Sequence, residues 1–294
     1  MKLHRRSVRA AVWAPAIACA VTLCLMGSAS ASDGVLEINQ ACAAGPGCFS
    51  GDSPGFPVTI AYGGSYRLTG NLSMNSVLGP PSTDFIEINA ADVSLDLNGF
   101  ALICRNVLTG TPCSGSNING IDVASYADRA RIANGALFGM PGGGIASFLG
   151  TSIRVENLSV DESGEIGIEV GSGSRVERCV VRNSGQRGIQ AQADSIVVGN
   201  VVRDSTTVGI SVADNSIVRE NVVTGSGSAG IRASEGSLVQ GNTSASNQTG
   251  FRLVAVLQVG GLARDNVARD NSGPGIDADS GWVLTSNVSQ GNGS

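Results

Sequence analysis

Short apolar runs alternate with turn residues along most of this chain. Residues 188–208 read GIQAQADSIVVGNVVRDSTTV. Ile189 and Ala191 alternate with polar Gln190 and Gln192, and a Val pair stands on either side of a Gly-Asn step. The runs are too short for helices and rich in β-branched residues, so they predict strands. Gly, Ser, Asp and Asn fill the gaps and supply turns. Each such stretch predicts about three short strands and three turns.

The same pattern returns. A Gly-Ile pair, once Gly-Phe, recurs at Gly120, Gly144, Gly167, Gly188, Gly209, Gly230, Gly250 and Gly275, at spacings of 24, 23, 21, 21, 21, 20 and 25 residues. A fixed period near 21 means one supersecondary unit stacked many times. A strand of one repeat cannot bury its face alone. It pairs in parallel with its equivalent in the next repeat, about 4.8 Å away.

An Asn recurs in the frame V-x-x-N. Asn200, Asn221, Asn242 and Asn287 lie 12 residues past their glycine, and Asn134, Asn157 and Asn266 are assigned the same place in repeats with insertions. Cys179 also lies 12 past its glycine, Gly167, and is expected to be a buried small residue in this column. Stacked Asn side chains satisfy one another in a dry core, and Asn tolerates the left-handed backbone of a sharp turn. The expected ladder is therefore Asn157, Cys179, Asn200, Asn221, Asn242, Asn266 and Asn287. Ser174, Ser195, Ser216 and Ser237 form a second column seven residues past each glycine.

In the frame G-I-x-(V/A)…V-x-x-N-x-V, and in the stretch D-V-S-L-D-L-N-G at residues 92–99, the chain resembles the bacterial right-handed β-helix repeat proteins. These belong with pectate lyases and polygalacturonases in one superfamily. The resemblance covers roughly residues 84–294. It implies an all-β fold: a single-stranded right-handed parallel β-helix of about ten coils. Residues 32–83, with Cys42, Cys48 and a Pro/Gly stretch, are expected to form an N-terminal cap and irregular first coils.

Composition adds a location. Lys2, Arg5, Arg6 and Arg9 make a basic start, an apolar run follows to Met26, and Ala29-Ser30-Ala31 offers a cleavage motif. Residues 1–31 thus read as an export signal, and the protein as secreted, periplasmic or cell-surface, with no membrane span after cleavage. Removing that segment takes four cations and no acids, leaving 15 Arg against 24 acids, a net of −9. No nucleic-acid footprint survives that balance. No His or Lys remains after residue 31, which excludes His bases, His metal ligands and Schiff-base chemistry. In an oxidising compartment Cys42 with Cys48, and Cys104 with Cys113, are expected to form disulfides.

In enzymes of the resembled superfamily, substrate lies along the outer face of the first strand. Here that column is two residues past each glycine: Asp122, Ala146, Glu169, Gln190, Ser211, Arg232, Arg252 and Asp277. It is a polar stripe of mixed sign and the candidate glycan-facing surface. Enzymatic motifs are missing: there is no G-H-G, no R-I-K, and no acid cluster facing Arg232 and Arg252. Asp122 and Glu169 lie two rungs apart, about 9.6 Å for even stacking. Catalytic residues stay unassigned and no metal site is expected. The one cofactor expectation is weak calcium binding at the acidic run Asp161, Glu162 and Glu165. The expected function is an exported, non-catalytic scaffold binding a polysaccharide or another surface protein. The alternative is a divergent polysaccharide lyase or glycoside hydrolase working on the same face. Self-association through the C-terminal coil is expected, with Trp282 folded over the last rung.

Overall fold

The computed structural model describes residues 34–75, 82–106, 108–115 and 117–293. The proposed export signal lies outside them. Almost all regular structure is β. One sheet stacks ten parallel strands, from Val58–Ile60 through Ile121–Val123 and Ile189–Ala191 to Ile276–Ala278. A nineteen-strand sheet contains two further parallel ladders. They are separate where Ile196–Val198 and Val201–Arg203 each pair with their counterparts one repeat on. They merge in the long strands Arg131–Phe138 and Arg154–Asp161, which pair along both halves. Each coil therefore contributes to three faces around one apolar interior, the β-helix that the repeat predicts.

Strand alternation makes that interior. Val155, Val176, Val197, Val218 and Val239 all face inward, none more than 0 % exposed, and they pair in register one rung to the next. The repeated glycine is fixed by close approach. A Cβ on Gly188 would lie 2.7 Å from the Gly209 carbonyl oxygen and 2.8 Å from Ser205 Oγ, and would overlap Val202. No methyl fits there without displacing backbone.

The Asn column is a buried hydrogen-bond ladder. Asn200 Nδ2 donates to Asn221 Oδ1 at 3.0 Å and to the Val176 carbonyl at 3.0 Å. The pattern continues through Asn242 and Asn266 to Asn287. Two expectations about it are corrected. Asn157 is exposed and outside the ladder, and Asn134 is outside it too; register pairs Glu156 with Glu177 and with Ala133, so Leu158 is the residue that stacks on Cys179 and on Gly135. Asn157 instead joins an outer contact, donating to Asn134 Oδ1 at 3.2 Å. The left-handed backbone also falls one residue earlier than the ladder: Arg178, Gly199, Glu220, Gly241, Asp265 and Ser286 have φ between 53° and 66°. That residue turns the chain, and the Asn that follows it points inward.

Two more columns support the coil corners. Ser174 N–H donates to Ser195 Oγ, and Ser195 and Ser216 repeat the contact. At another corner Asn247, Asn271 and Asn292 form a second Asn ladder, continuing a column that reads Ser163, Ser184, Ser205 and Ser226 in earlier coils.

At the N-terminal end, Val35–Ile38 pairs in parallel with Gly64–Leu68. A single helical turn, Gln40–Ala43, follows, capped by Asn39. Gln40 acts as a peptide mimic for the next strand: its Oε1 accepts from Ser73 N–H at 2.7 Å and its Nε2 donates to Ser73 O at 3.2 Å. That satisfies edge groups an open sheet would leave unpaired. Cys42 bonds to Cys48 and Cys104 to Cys113, while Cys179 is free and buried. Among the described residues no helix is long and apolar enough to cross a membrane.

In the last described coil Val283, Leu284 and Val288 are exposed. Trp282 does not fold over that coil. Its indole N–H donates to the Val254 carbonyl at 3.3 Å, and its ring lies under Gly261 of the preceding coil. The ring fills space beneath an inserted loop there.

Candidate functional site

The ten-strand sheet brings the stripe together as one column. Asp122 pairs with Ala146, Glu169 with Gln190, Gln190 with Ser211, Ser211 with Arg232, Arg232 with Arg252 and Arg252 with Asp277. Glu87 adds a rung before Asp122. Flanking inward residues such as Ile189 and Ile210 anchor each strand in the core.

The column divides into three parts. At its N-terminal part Asp84, Glu87 and Asp122 lie around Asn119. The Asn119 backbone N–H donates to Asp84 Oδ1 at 2.5 Å, and its Nδ2 donates to Asp122 Oδ1 at 3.3 Å. Burial pushes the Asp84 carboxyl up to about 6, against the lowering pull of the Asn119 N–H, with the charges of Asp122 and Glu87 adding to the rise. Burial also raises Asp122, helped by Glu87. Carboxyls so shifted are a recognised mark of working sites and of structural acid clusters alike.

The middle part is a floor of buried polar groups. Gln190 and Ser211 are 9 % and 6 % exposed. Gln190 Nε2 donates to Glu169 Oε1 at 2.8 Å, and Arg187 donates to Gln190 Oε1. Burial raises the Glu169 carboxyl, partly offset by Arg187. At the C-terminal part Arg252 is held by Asp277 at 2.8 Å and Asp279 at 3.2 Å.

Arg232 stands between these parts. Its guanidinium has no hydrogen-bond or ion-pair partner among the described residues. Two adjoining cavities share it and Ser234. One, of about 140 Å³, is lined by Arg187, Gln190 and Ser211. The other, of about 360 Å³, is lined by Asp214, Glu235, Val256 and Leu257. Together they form a groove along the sheet. A recess of about 500 Å³ at a different corner, beside Glu162, Asn183 and Asp204, contains no stripe residue.

In the acidic run singled out for calcium, two side chains have protein partners. Glu162 pairs with Arg105 at 3.1 Å, and Asp161 Oδ1 accepts from Asn183 at 2.8 Å. Among the described residues no group of three His, Cys, Asp or Glu side chains is placed to hold a metal ion.

Sequence reasoning missed Asp84, Glu87, Asn119 and Arg187. It also missed a charge cluster on the nineteen-strand sheet. There Glu156 and Glu177 are buried beneath Arg131, Arg154, Arg175 and Arg178. Its signal was visible as R-V-E at residues 154–156 and again at 175–177.

Comparison with known proteins places this architecture. Similar solved structures include the Dettilon tailspike protein, at 12 % identity over 86 % of this chain and 50 % of that one, with a TM-score of 0.53. They also include the AlgE6 A-module, a mannuronan C-5 epimerase of Azotobacter vinelandii, at 14 % identity over 88 % and 85 % of the two chains, with a TM-score of 0.49. The periplasmic alginate epimerase AlgG matches at 13 % identity over 80 % and 77 %, with a TM-score of 0.48. At such identities the likeness concerns the fold alone, and the chain spans half the length of the tailspike chain. No curated protein sequence matches it. The family model described as "right handed beta helix region" matches residues 84–235. The parallel ladders and the 21-residue repeat agree with that description, and the chain belongs to the right-handed β-helix family.

Proposed function

We propose that this protein is an exported, non-catalytic scaffold that binds a glycan chain along the outer face of its ten-strand sheet. The observation that carries the reading is Arg232, a guanidinium on the stripe that has no partner among the described residues and is shared by two adjoining cavities. Concave sites with a few convergent polar groups are where ligands bind. Rungs about 4.8 Å apart present hydrogen-bonding groups at even intervals, which suits an extended polymer of repeating hydroxyls. Export is supported by the basic, apolar and small-residue order of residues 1–31 and by two disulfides, which persist in oxidising compartments. Association between copies through Val283, Leu284 and Val288 belongs to the same reading. Sedimentation across a wide concentration range tests it, and a strict monomer contradicts it.

A glycan array, paired with reducing-sugar and unsaturated-uronide assays, tests the main claim. Retention of at least one polysaccharide without product release is expected. The second reading is a lyase or hydrolase, favoured by the raised carboxyls of Asp84 and Asp122. A protonated acid near neutral pH serves as a general acid. Product release that disappears in Asp84→Asn would establish this reading in place of the first.

A further inference from the structure

The groove ends on an insertion. Seven positions separate the ten-strand sheet from the next ladder in two coils (231 to 238 and 276 to 283), but eleven do so in the coil between them (251 to 262). The four extra residues lie within residues 254–261. This loop leaves Val256, Leu257 and Val259 exposed at 80 %, 74 % and 67 %. An apolar cluster so open on a surface marks an interaction site when its backbone is held.

It is held at three points. Ala255 N–H donates to Asp279 Oδ2 at 3.1 Å, and Leu257 N–H donates to Glu235 Oε2 at 3.0 Å. Trp282 supports it from beneath: the indole N–H reaches the Val254 carbonyl, and ring atoms lie 2.8 Å from where a Cβ on Gly261 would be. Side chains on a loop fixed this way lose little freedom when a ligand arrives.

The loop also has a polar neighbour. Val256 and Leu257 form one wall of the cavity of about 360 Å³ whose other wall is Asp214, Arg232 and Ser234. Arg232 supplies donors and Asp214 acceptors, so the polar wall matches sugar hydroxyls. The apolar wall matches a substituent that makes no hydrogen bond.

We infer that residues 254–261 form a specificity loop, and that the cavity it builds with Arg232 takes a sugar residue bearing a methyl group, through acetylation or a deoxy carbon. This inference rests on the glycan-binding reading of the same groove. Discrimination is expected at about tenfold, the scale of one methyl or methylene in an apolar pocket.

The test uses the full chain on matched probes: acetylated and chemically deacetylated xylan, and oligosaccharides ending in a 6-deoxyhexose or the corresponding hexose. The acetylated pair reads the acetyl source and the second pair the deoxy source. Wild type should retain the methyl-bearing member of at least one pair about tenfold more strongly. The double variant Val256→Ser, Leu257→Ser, whose side chains are exposed and do not enter the core, should bind both members equally. Its melting midpoint is read alongside. Equal retention of both members by wild type, or a preference that survives in the variant, overturns the inference and leaves glycan binding standing. Binding of neither pair by wild type overturns the inference, and if no other glycan on the panel binds, it overturns the underlying reading as well.

Discussion

The backbone N–H of Cys179 donates to Asn200 Oδ1 at 2.9 Å, so the thiol occupies the first rung of the Asn ladder. Cys179 Sγ lies 3.9 Å from the Val155 carbonyl and is also in reach of the Leu158 N–H. An Asn amide there would donate to Val155 O as Asn200 does to Val176 O, and accept from Leu158. Cys179→Asn should therefore add about 1 kcal/mol, raising the melting midpoint by roughly 2–4 °C. Calorimetry of both proteins measures it, and an unchanged or lower midpoint contradicts it. In wild type, burial pushes this thiol up to about 12, so alkylation should require denaturant.

Asn221 sits in mid-ladder. Its Oδ1 accepts from both Asn200 N–H and Asn200 Nδ2, and its Nδ2 donates to Asn242 and to the Val197 carbonyl. Asn221→Ala strands these groups in a dry interior at a cost of about 1–3 kcal/mol. Its neighbour Glu220 holds the left-handed turn, with φ 58°. Glu220→Gly should be neutral or stabilising, because glycine adopts that backbone freely. Denaturation midpoints of the two variants should move apart, and equal losses would show that the side chain of residue 221 is not what the corner depends on.

The stack was legible because its signals repeat in step. Gly-Ile and V-x-x-N recur where coils share one length, so Asn200, Asn221 and Asn242 were readable from spacing alone. Asn157 was misplaced because its coil runs 13 residues from its glycine, and there the turning residue is itself Asn. The second ladder escaped because its column changes from Ser226 to Asn247 partway along. Asp84 and Glu87 precede the first Gly-Ile pair and had no register to share. The inserted loop was legible as a long spacing, but the contact between Trp282 and Val254 crosses 28 residues and has no local signature.

Gly209→Ala tests close approach between coils. Its new Cβ would lie 2.7 Å from the Gly230 carbonyl oxygen and 2.8 Å from Ser226 Oγ, and would overlap Val223. Overpacking of this kind costs about 1–3 kcal/mol. Urea unfolding measures the loss. A variant as stable as wild type would mean the repeated glycine is not set by packing.

Acid should expose the buried charge cluster. Burial pushes the Glu177 carboxyl up, but hydrogen bonds from Arg175 and Arg154 outweigh that and hold it at about 2, below its ordinary 4.5. A depressed folded value means the stabilisation is complete above about pH 4.5 and is lost as pH falls toward 2. Melting midpoints from pH 6 to pH 2 should fall in that window. Glu177→Gln should be less stable at pH 7 and show a flatter profile, whereas a slope unchanged by the substitution would assign the acid sensitivity to other groups.

Binding at the groove is tested most directly by titrating one retained polysaccharide into wild type, Arg232→Ala and Arg264→Ala. Arg264 lies on the nineteen-strand sheet, where it donates to Gln240 at 3.1 Å. Loss of a guanidinium that bonds ligand is worth about 1.5–3 kcal/mol, so Arg232→Ala should weaken binding roughly tenfold or more, and Arg264→Ala should not change it. Equal affinity for all three proteins would show that the glycan does not use the face on which Arg232 stands.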